Sequence, residues 1–501
     1  MEKKLFVGSL MVCAALVGGA SLWPTIRESI VLKPIEELKV RITSSTAIPD
    51  PANVQSSGDW YFLDHISGGL ASYDSDSKKF SPLYASSWET RADGTHLFRL
   101  RDDAKFHDGT PITAKDVIWS LKRQLILKTS THFPLWEYII GCENLKSLDD
   151  DCEGLKKEGE RGIAIRLKSR ADSFYLQLAS PETGIWSADD MNPKSKELKP
   201  TKFTGAYFVA ERTDDFALLR KNPFSPLLAR FPESPNNIRV KRIPLPKLDQ
   251  ALLAGDVDLA VRSYNPLGER DWRKDGYGVH STDSSTIIYL FGLGTGTRPP
   301  LGKDFIQAAW QLNQDKVITP AETFLPFGKE YVLSRNEFLG ELPDKTAPLV
   351  RILCPDGFFS ETFLAQVQAA AQSAGSRIEF SFAGPTEWFA AFNDPKATEK
   401  YDYIMSSYAA SERYPAVQLR YMTKKLLAPP IDLKVTESPD LNVDRTKLLK
   451  DYQKWLLQVR QAIPLYFNPT IYVHRSGIDL GNQSKTDAEI ELWRVRARGI
   501  L

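Results

Sequence analysis

Apolar residues recur along this chain at two spacings. In "HLFRLRDDAKF" they alternate, with Leu97 opposed to Phe98 and Arg99 to Leu100, which predicts a strand; Asp108-Gly109 beyond it predicts a turn. The spacing then lengthens. Thr113 stands three residues before Asp116, the pattern of a capping box in which the hydroxyl accepts a backbone N–H, and Val117, Leu121 and Leu125 with Ile118 form one apolar stripe. Helices are also predicted over "FIQAAWQLNQDKVI" (Phe305 to Ile318, packed through Ala309 and Leu312) and "LLKDYQKWLLQVR" (Leu448 to Arg460, packed through Leu449, Tyr452 and Leu456). "ETFLAQVQAAAQSAG" is a helix with Gly375 as its C-cap, followed by a strand in "RIEFSF", and "TIIYLFGL" is a strand leading into a loop. Strands and helices therefore alternate, an α/β pattern with mixed sheets.

Length changes this picture by demanding more than one core: 501 residues, 42% of them hydrophobic, suit two or three domains. The N-terminus departs from the globular pattern. Glu2-Lys3-Lys4 precedes an uncharged run from Leu5 to Trp23, so residues 1–23 are expected to be a signal peptide ending near Gly18-Gly19-Ala20, or an uncleaved membrane anchor, since about 20 apolar residues span a bilayer. Val12 before Cys13, and the apolar sequence after it, argue against a lipoprotein site.

Charge and candidate chemistry mostly exclude. Sixty-four basic residues against sixty-three acidic ones, with no basic block, give no footprint for nucleic acid. His107 and Asp108 are neighbours at a turn with no third group to orient the imidazole, so they punctuate the chain and do not form a catalytic pair. "GLGTGTRPPLGK" (Gly292 to Lys303) has the wrong spacing for a phosphate loop, and "YDSDSKK" (Tyr73 to Lys79) lacks the glycine and distal glutamate of a calcium loop. The six histidines show no zinc-ligand spacing, so no catalytic residue, metal or cofactor is expected. Cys142 and Cys152 flank the polar "ENLKSLDDD", which a disulfide would close with up to roughly 3 kcal/mol of stabilisation; Cys354 is expected to be a buried thiol.

Four segments carry a resemblance. "PLYASSWETRADGTHLFRLRDDAKFHDGTPITAKDVIWSLKR" (Pro82 to Arg123), "KFTGAYFVAERTDDFALLRKNPF" (Lys202 to Phe224), "KRIPLPKLDQALLAGDVDLAV" (Lys241 to Val261) and "DAEIELWRVR" (Asp487 to Arg496) resemble the family 5 extracellular solute-binding proteins, the oligopeptide and dipeptide receptors of bacterial ABC importers. The resemblance covers nearly everything after Leu38. It implies a two-lobed periplasmic-binding-protein fold of the large, three-subdomain class II type with a hinged cleft. Lobe I would be 38–278 plus 468–501, with an extra subdomain at about 70–168, and lobe II 279–467. It also implies capture of a peptide-like or other small solute for ABC-type import. The partners would be the importer's membrane subunits, and the receptor would be a monomer in the periplasm or another extracytoplasmic space, anchored to the inner membrane if the leader stays attached.

The site expected from these segments has two sources. Ser57, Asp59 and Trp60 precede a helix where the family contacts its ligand, although an N-cap with Trp60 packed inside fits the residues equally well. Trp388, Tyr408, Ser411 and Glu412 come from the other lobe. Ser411 fills the position of the family's aspartate for a peptide amino terminus, and a serine does not neutralise an ammonium ion. A second departure is Phe305-Ile306-Gln307-Ala308 in place of the usual Val-Arg-x-Ala. Two other readings are a membrane-tethered interaction protein that keeps the fold without solute transport and, last, a hydrolase, for which no nucleophile and base can be named.

Overall fold

The computed structural model describes residues 30–41, 47–54, 57–74, 77, 79–127, 138–168, 173–244, 247–262, 270–282, 286–294, 298–312, 318–325, 330–392, 394, 396–409, 416, 419–420, 422–423, 429–433, 443–483 and 490–500. The chain begins with β1 (Ile30–Lys33), β2 (Glu37–Arg41), α1 (Ser57–Ile66), β3 (Ala71–Asp74), β4 (Lys79–Pro82), β5 (Ala85–Thr90), β6 (Thr95–Leu100), α2 (Ala114–Leu127), β7 (Leu155–Glu158), β8 (Gly162–Arg166) and α3 (Ser173–Leu178). Then come β9 (Tyr207–Arg212), β10 (Phe216–Lys221), β11 (Asn237–Lys241), α4 (Leu248–Ala254), β12 (Leu259–Arg262) and β13 (Gly278–Ser281). A second run holds β14 (Thr286–Gly292), α5 (Lys303–Leu312), β15 (Thr319–Pro320), α6 (Arg335–Gly340), β16 (Leu349–Pro355), α7 (Glu361–Ser373), β17 (Arg377–Ala383), α8 (Pro385–Ala391), α9 (Ala397–Lys400), β18 (Tyr403–Ala409), α10 (Arg445–Gln458) and β19 (Ala462–Asn468). The tail adds β20 (Ile471–His474), β21 (Ile478–Asp479) and β22 (Arg496–Ile500).

Two large sheets organise these elements. One has seven strands in the order β13-β20-β12-β2-β11-β10-β9, and the other has six in the order β15-β19-β14-β18-β16-β17. Both are mixed: β2 runs parallel to β11 and β12, β16 runs parallel to β17 and β18, and the remaining neighbours are antiparallel. The chain leaves the first sheet after β13, builds the whole second sheet, and returns through β20.

Each sheet has its own apolar core. The core of the six-stranded sheet draws only on residues from Ile287 to Phe467, including Phe305, Ile306 and Ala309 of α5, Val367 of α7, and Leu449, Tyr452 and Leu456 of α10. Around the seven-stranded sheet, two clusters join residues from Leu38 to Val279 with the tail from Ile471 to Val495. A further cluster, Leu70 to Ile185, packs α2 and α3 on the four-stranded sheet β5-β6-β8-β7. At about 1.5–3 kcal/mol for each large side chain buried, these separate cores make separate bodies.

Several local expectations are refined. The strand expected from the alternation is β6, which pairs with β5 and β8 and is buried throughout except at Arg99. The helix start at Thr113 is an acid cap: the Thr113 N–H and hydroxyl both donate to Asp116 Oδ2 (2.9 and 2.7 Å), while the Asp116 N–H donates to the Thr113 carbonyl instead of its hydroxyl. The other Asp116 oxygen accepts the Ala188 N–H at 2.9 Å, so this one carboxylate fixes both the helix start and a neighbouring loop. His107 is structural, as expected. Its Nδ1 accepts the Phe203 N–H (3.2 Å), its ring lies 4.3 Å from that of Phe208, and Asp108 accepts the Thr110 N–H in the turn that Gly109 completes at φ +86°. Gly375 closes α7 with φ +71°.

Candidate functional site

Strand direction and register locate the site. In the seven-stranded sheet, the carboxyl end of β12 pairs Arg262 with Ile471, the first residue of the returning β20, and Ala260 of the same strand stands beside Arg41, the end of β2. Ser281, the end of β13, also pairs with Ile471. In the six-stranded sheet, β18 ends at Ala409 opposite Thr286, which is in turn opposite Asn468; the parallel strands β16 and β17 end on that same edge at Pro355 and Ala383. The carboxyl ends of the parallel strands of both sheets thus face the two crossovers. Loops at that edge of an α/β sheet are where ligands bind.

From the first sheet the edge receives α1, reached by the loop after β2. The loop is held by Arg123 of α2, whose guanidinium donates to both oxygens of Asp50 (2.7 and 2.6 Å) and to the Lys196 carbonyl (2.8 Å). Burial then grades along the helix. Asp59 and Trp60 in its first turn are half-buried, whereas Tyr61, Phe62, Leu63, His65 and Ile66 are buried. An acid in the first turn suits the positive helix end. The buried half is locked by polar contacts. The Tyr61 and Tyr472 hydroxyls pair at 3.0 Å, the Leu492 N–H donates to His65 Nε2 (3.2 Å), and His65 Nδ1 therefore donates to the Tyr61 carbonyl (2.6 Å). Burial pushes the His65 imidazole down to about 4, so it stays neutral.

From the second sheet come the segments after β16, β17 and β18. Trp388 lies in α8, packed edge-on against Phe389 and Phe392, and its indole N–H has no acceptor among the described residues. Tyr408, near the end of β18, donates its hydroxyl to the Phe324 carbonyl and sets its ring edge-on to Tyr289 at 5.6 Å. Burial raises its pKa well above the usual phenol range. The described sequence candidates thus follow strand ends of both sheets: Asp59 and Trp60 after β2, Trp388 after β17, and Tyr408 near the end of β18. Ser57 opens α1, but its side chain lies outside the described residues, as do Ser411 and Glu412, which follow β18.

Sequence reasoning expected two crossings between the lobes but named none of the residues that hold them together. The Thr282 N–H donates to the Thr470 carbonyl (3.0 Å), the Thr470 N–H to Thr282 Oγ1 (3.0 Å), and the Thr282 hydroxyl back to the Thr470 carbonyl (3.2 Å). The Thr286 and Thr470 hydroxyls lie 3.5 Å apart, and all of these residues are buried. A signal was present: "STDSST" and "NPT" are polar breaks between runs that are otherwise apolar. Cys142 and Cys152 are buried with Cα atoms 4.9 Å apart, within the reach of a disulfide; Lys122 donates to the Leu148 carbonyl in the loop between them (3.0 Å). Among the described residues no group of acids, histidines and cysteines could hold a metal ion, and no helix is long and apolar enough to cross a membrane.

Known proteins share this arrangement. The family model for bacterial extracellular solute-binding proteins, family 5 Middle, matches residues 79–312. The chain is 29% identical over 223 residues to the periplasmic murein peptide-binding protein MppA of Escherichia coli (strain K12), an alignment that spans 41% of this chain and 40% of that relative. It therefore matches well under half of the curated relative's length. The structure of the E. coli murein tripeptide binding protein MppA superposes with a TM-score of 0.74 at 17% identity, covering 94% of this chain and 100% of that one. A structure of MppA described as its unliganded open form gives 0.60 at the same 17% identity, covering 94% and 99%. At this identity the likeness shows the fold, which is two-lobed and of the periplasmic-binding-protein type.

Proposed function

We propose that this chain, which belongs to the family 5 bacterial extracellular solute-binding proteins, captures a small solute between its lobes and presents it to the membrane subunits of an ABC importer. The observation that carries this reading is the convergence of the parallel strand ends of both sheets on the two crossovers. A ligand held there touches both bodies at once, so it binds their closed arrangement more tightly than the open one and shifts the balance between them. We take lobe I as about 38–278 plus the tail from 468 and lobe II as the stretch between, with the switch in the structure falling between Ser281 and Thr286.

The solute is peptide-like in this reading, as the kinship with a murein peptide-binding protein supports. Asp59 and Trp60 meet it from α1 of lobe I; Trp388, Tyr408, Ser411 and Glu412 meet it from lobe II. Backbone hydrogen bonds give affinity without strict choice of side chain. Ser411 hydrogen-bonds an amino terminus without neutralising it, so recognition does not depend on that charge. The receptor acts as a monomer outside the cytoplasm, with Cys142 and Cys152 bridged.

Calorimetry with short peptides tests the reading. We expect saturable binding that changes less than about threefold on N-acetylation, and Ser411→Asp should restore a preference for the free amino terminus. A strong preference for the free amino terminus in the unmodified chain would overturn the neutral-recognition reading. Absence of binding across peptides, sugars and metal complexes would favour the tethered interaction protein.

A further inference from the structure

The carboxyl edge of the lobe I sheet is cationic at its centre. The three central strands, β12, β2 and β11, run parallel, and each ends on a basic residue: Arg262, Arg41 and Lys241. Register places Ala260 beside Arg41 and Val240 beside Val40, so Arg262 and Lys241 end the strands on either side of Arg41. The strands of lobe II that face the same crossovers, β16, β17 and β18, end without charge on Pro355, Ala383 and Ala409. The positive charge therefore belongs to one lobe, on the edge where a ligand of this kind of sheet binds.

Arg41 differs from the other enclosed arginines. Arg123 is matched by both oxygens of Asp50, Arg239 by those of Glu37 and Arg351 by those of Asp402. Arg298 instead gives its Nε and both Nη atoms to main-chain carbonyls. Half-buried Arg41 follows neither plan: its Nε donates to the Ile243 carbonyl (3.3 Å), and among the described residues no carboxylate pairs with it. Ile243 lies two residues beyond the end of β11, so this bond keeps the guanidinium at the strand ends. Burial pushes its pKa down to about 10, and it stays charged at neutral pH. Water can satisfy an N–H, but a partly desolvated charge is neutralised only by an opposite one. We propose, on the basis of the receptor reading above, that Arg41 is a specificity residue: between Lys241 and Arg262, its guanidinium takes a carboxylate of the solute. A carboxylate accepts two parallel N–H bonds from a guanidinium, and such charge-assisted pairs are roughly twice as strong as neutral ones. The proposal complements Ser411, which leaves an amino terminus without a counter-charge; the charge that selects is the negative one.

Equilibrium dialysis of the full chain, read by mass spectrometry, tests it with pools of short peptides. One pool has neutral side chains and free carboxyl termini, a second is the same pool amidated, and in a third, also amidated, every member carries one glutamate. The first or the third should bind at least roughly tenfold more tightly than the second. Preference for the first marks a terminal carboxylate, and preference for the third a side-chain one. Arg41→Gln should abolish the preference and leave binding of the neutral amidated pool unchanged, whereas Arg41→Lys, which keeps the charge without the fork, should retain part of it. If glutamine does not fold, Arg41→Met, which keeps the apolar stem, should abolish it likewise. Saturable binding with no preference for either carboxylate, or a preference that survives in a folded Arg41→Gln or Arg41→Met, overturns the role of Arg41 alone. Failure of all pools to bind overturns this role together with the peptide-receptor reading.

Discussion

The lobe interiors and the crossovers between them are built from opposite materials. Lobe II closes over an apolar core in which Phe305, Ile352, Tyr403 and Phe467 are all fully buried, and β14 is buried along its whole length. At the crossovers, a few residues away, Thr282, Thr286 and Thr470 are just as inaccessible, yet they are joined by polar contacts with one another. Close packing makes a body rigid, because any shear opens a void. Threonine hydrogen bonds, each contributing about 1 kcal/mol net, can be exchanged for water at little cost. Depth alone therefore does not fix stiffness; the chemistry at that depth does.

This contrast can be broken at graded strengths. Truncation in a core should cost most: Phe305→Ala is expected to destabilise the protein by about 3–5 kcal/mol in urea melts, with lobe II unfolding first. A loss below about 1 kcal/mol would mean that the lobe II core is not close-packed. Next comes His65, buried neutral behind the site helix. Its unfolded imidazole takes a proton near 6.5 and its folded one only near 4, so between those values the unfolded chain binds more protons and stability falls as the pH is lowered. The expected loss is roughly 3 kcal/mol across that window, and His65→Gln should flatten this part of the pH profile.

Arg123→Met should cost about 2 kcal/mol, because a buried guanidinium loses both oxygens of Asp50, and it should loosen the α1 entry more than the lobe II core in hydrogen exchange. Equal protection changes in both lobes would contradict a local anchor. The smallest effect belongs to the joint. Thr282→Val, which leaves the Thr470 N–H without its side-chain acceptor, should cost about 1 kcal/mol of stability yet speed exchange between lobe arrangements more than any core variant.

What could be read from the sequence follows the same division. Apolar periodicity reports packing, so the α2 stripe and the α10 face of Leu449, Tyr452 and Leu456 were legible, as was the end of α7, where Ala374 is the cap and Gly375 the left-handed residue after it. Polar groups that face one another across long sequence distances were not. Asp116 serving as both cap and loop anchor, Arg123 reaching Asp50, and Thr282 reaching Thr470 depend on partners brought together only by the fold. The alternation around Leu97 did give a strand, β6, but it could not tell that the strand would be buried nearly throughout. Candidate site residues could be named where a segment resemblance existed, in α1 and near β18, and not at the crossovers, where Thr282 and Thr470 meet only through the fold.

The most direct test of the two-body receptor is small-angle scattering from the full chain, titrated with pools of short peptides. The account predicts a saturable fall in radius of gyration with at least one pool, at a stoichiometry of one solute per chain and with no change in helix content. A radius that stays fixed at saturating binding, or a solute found by crosslinking on an outer face away from the strand ends, would contradict it.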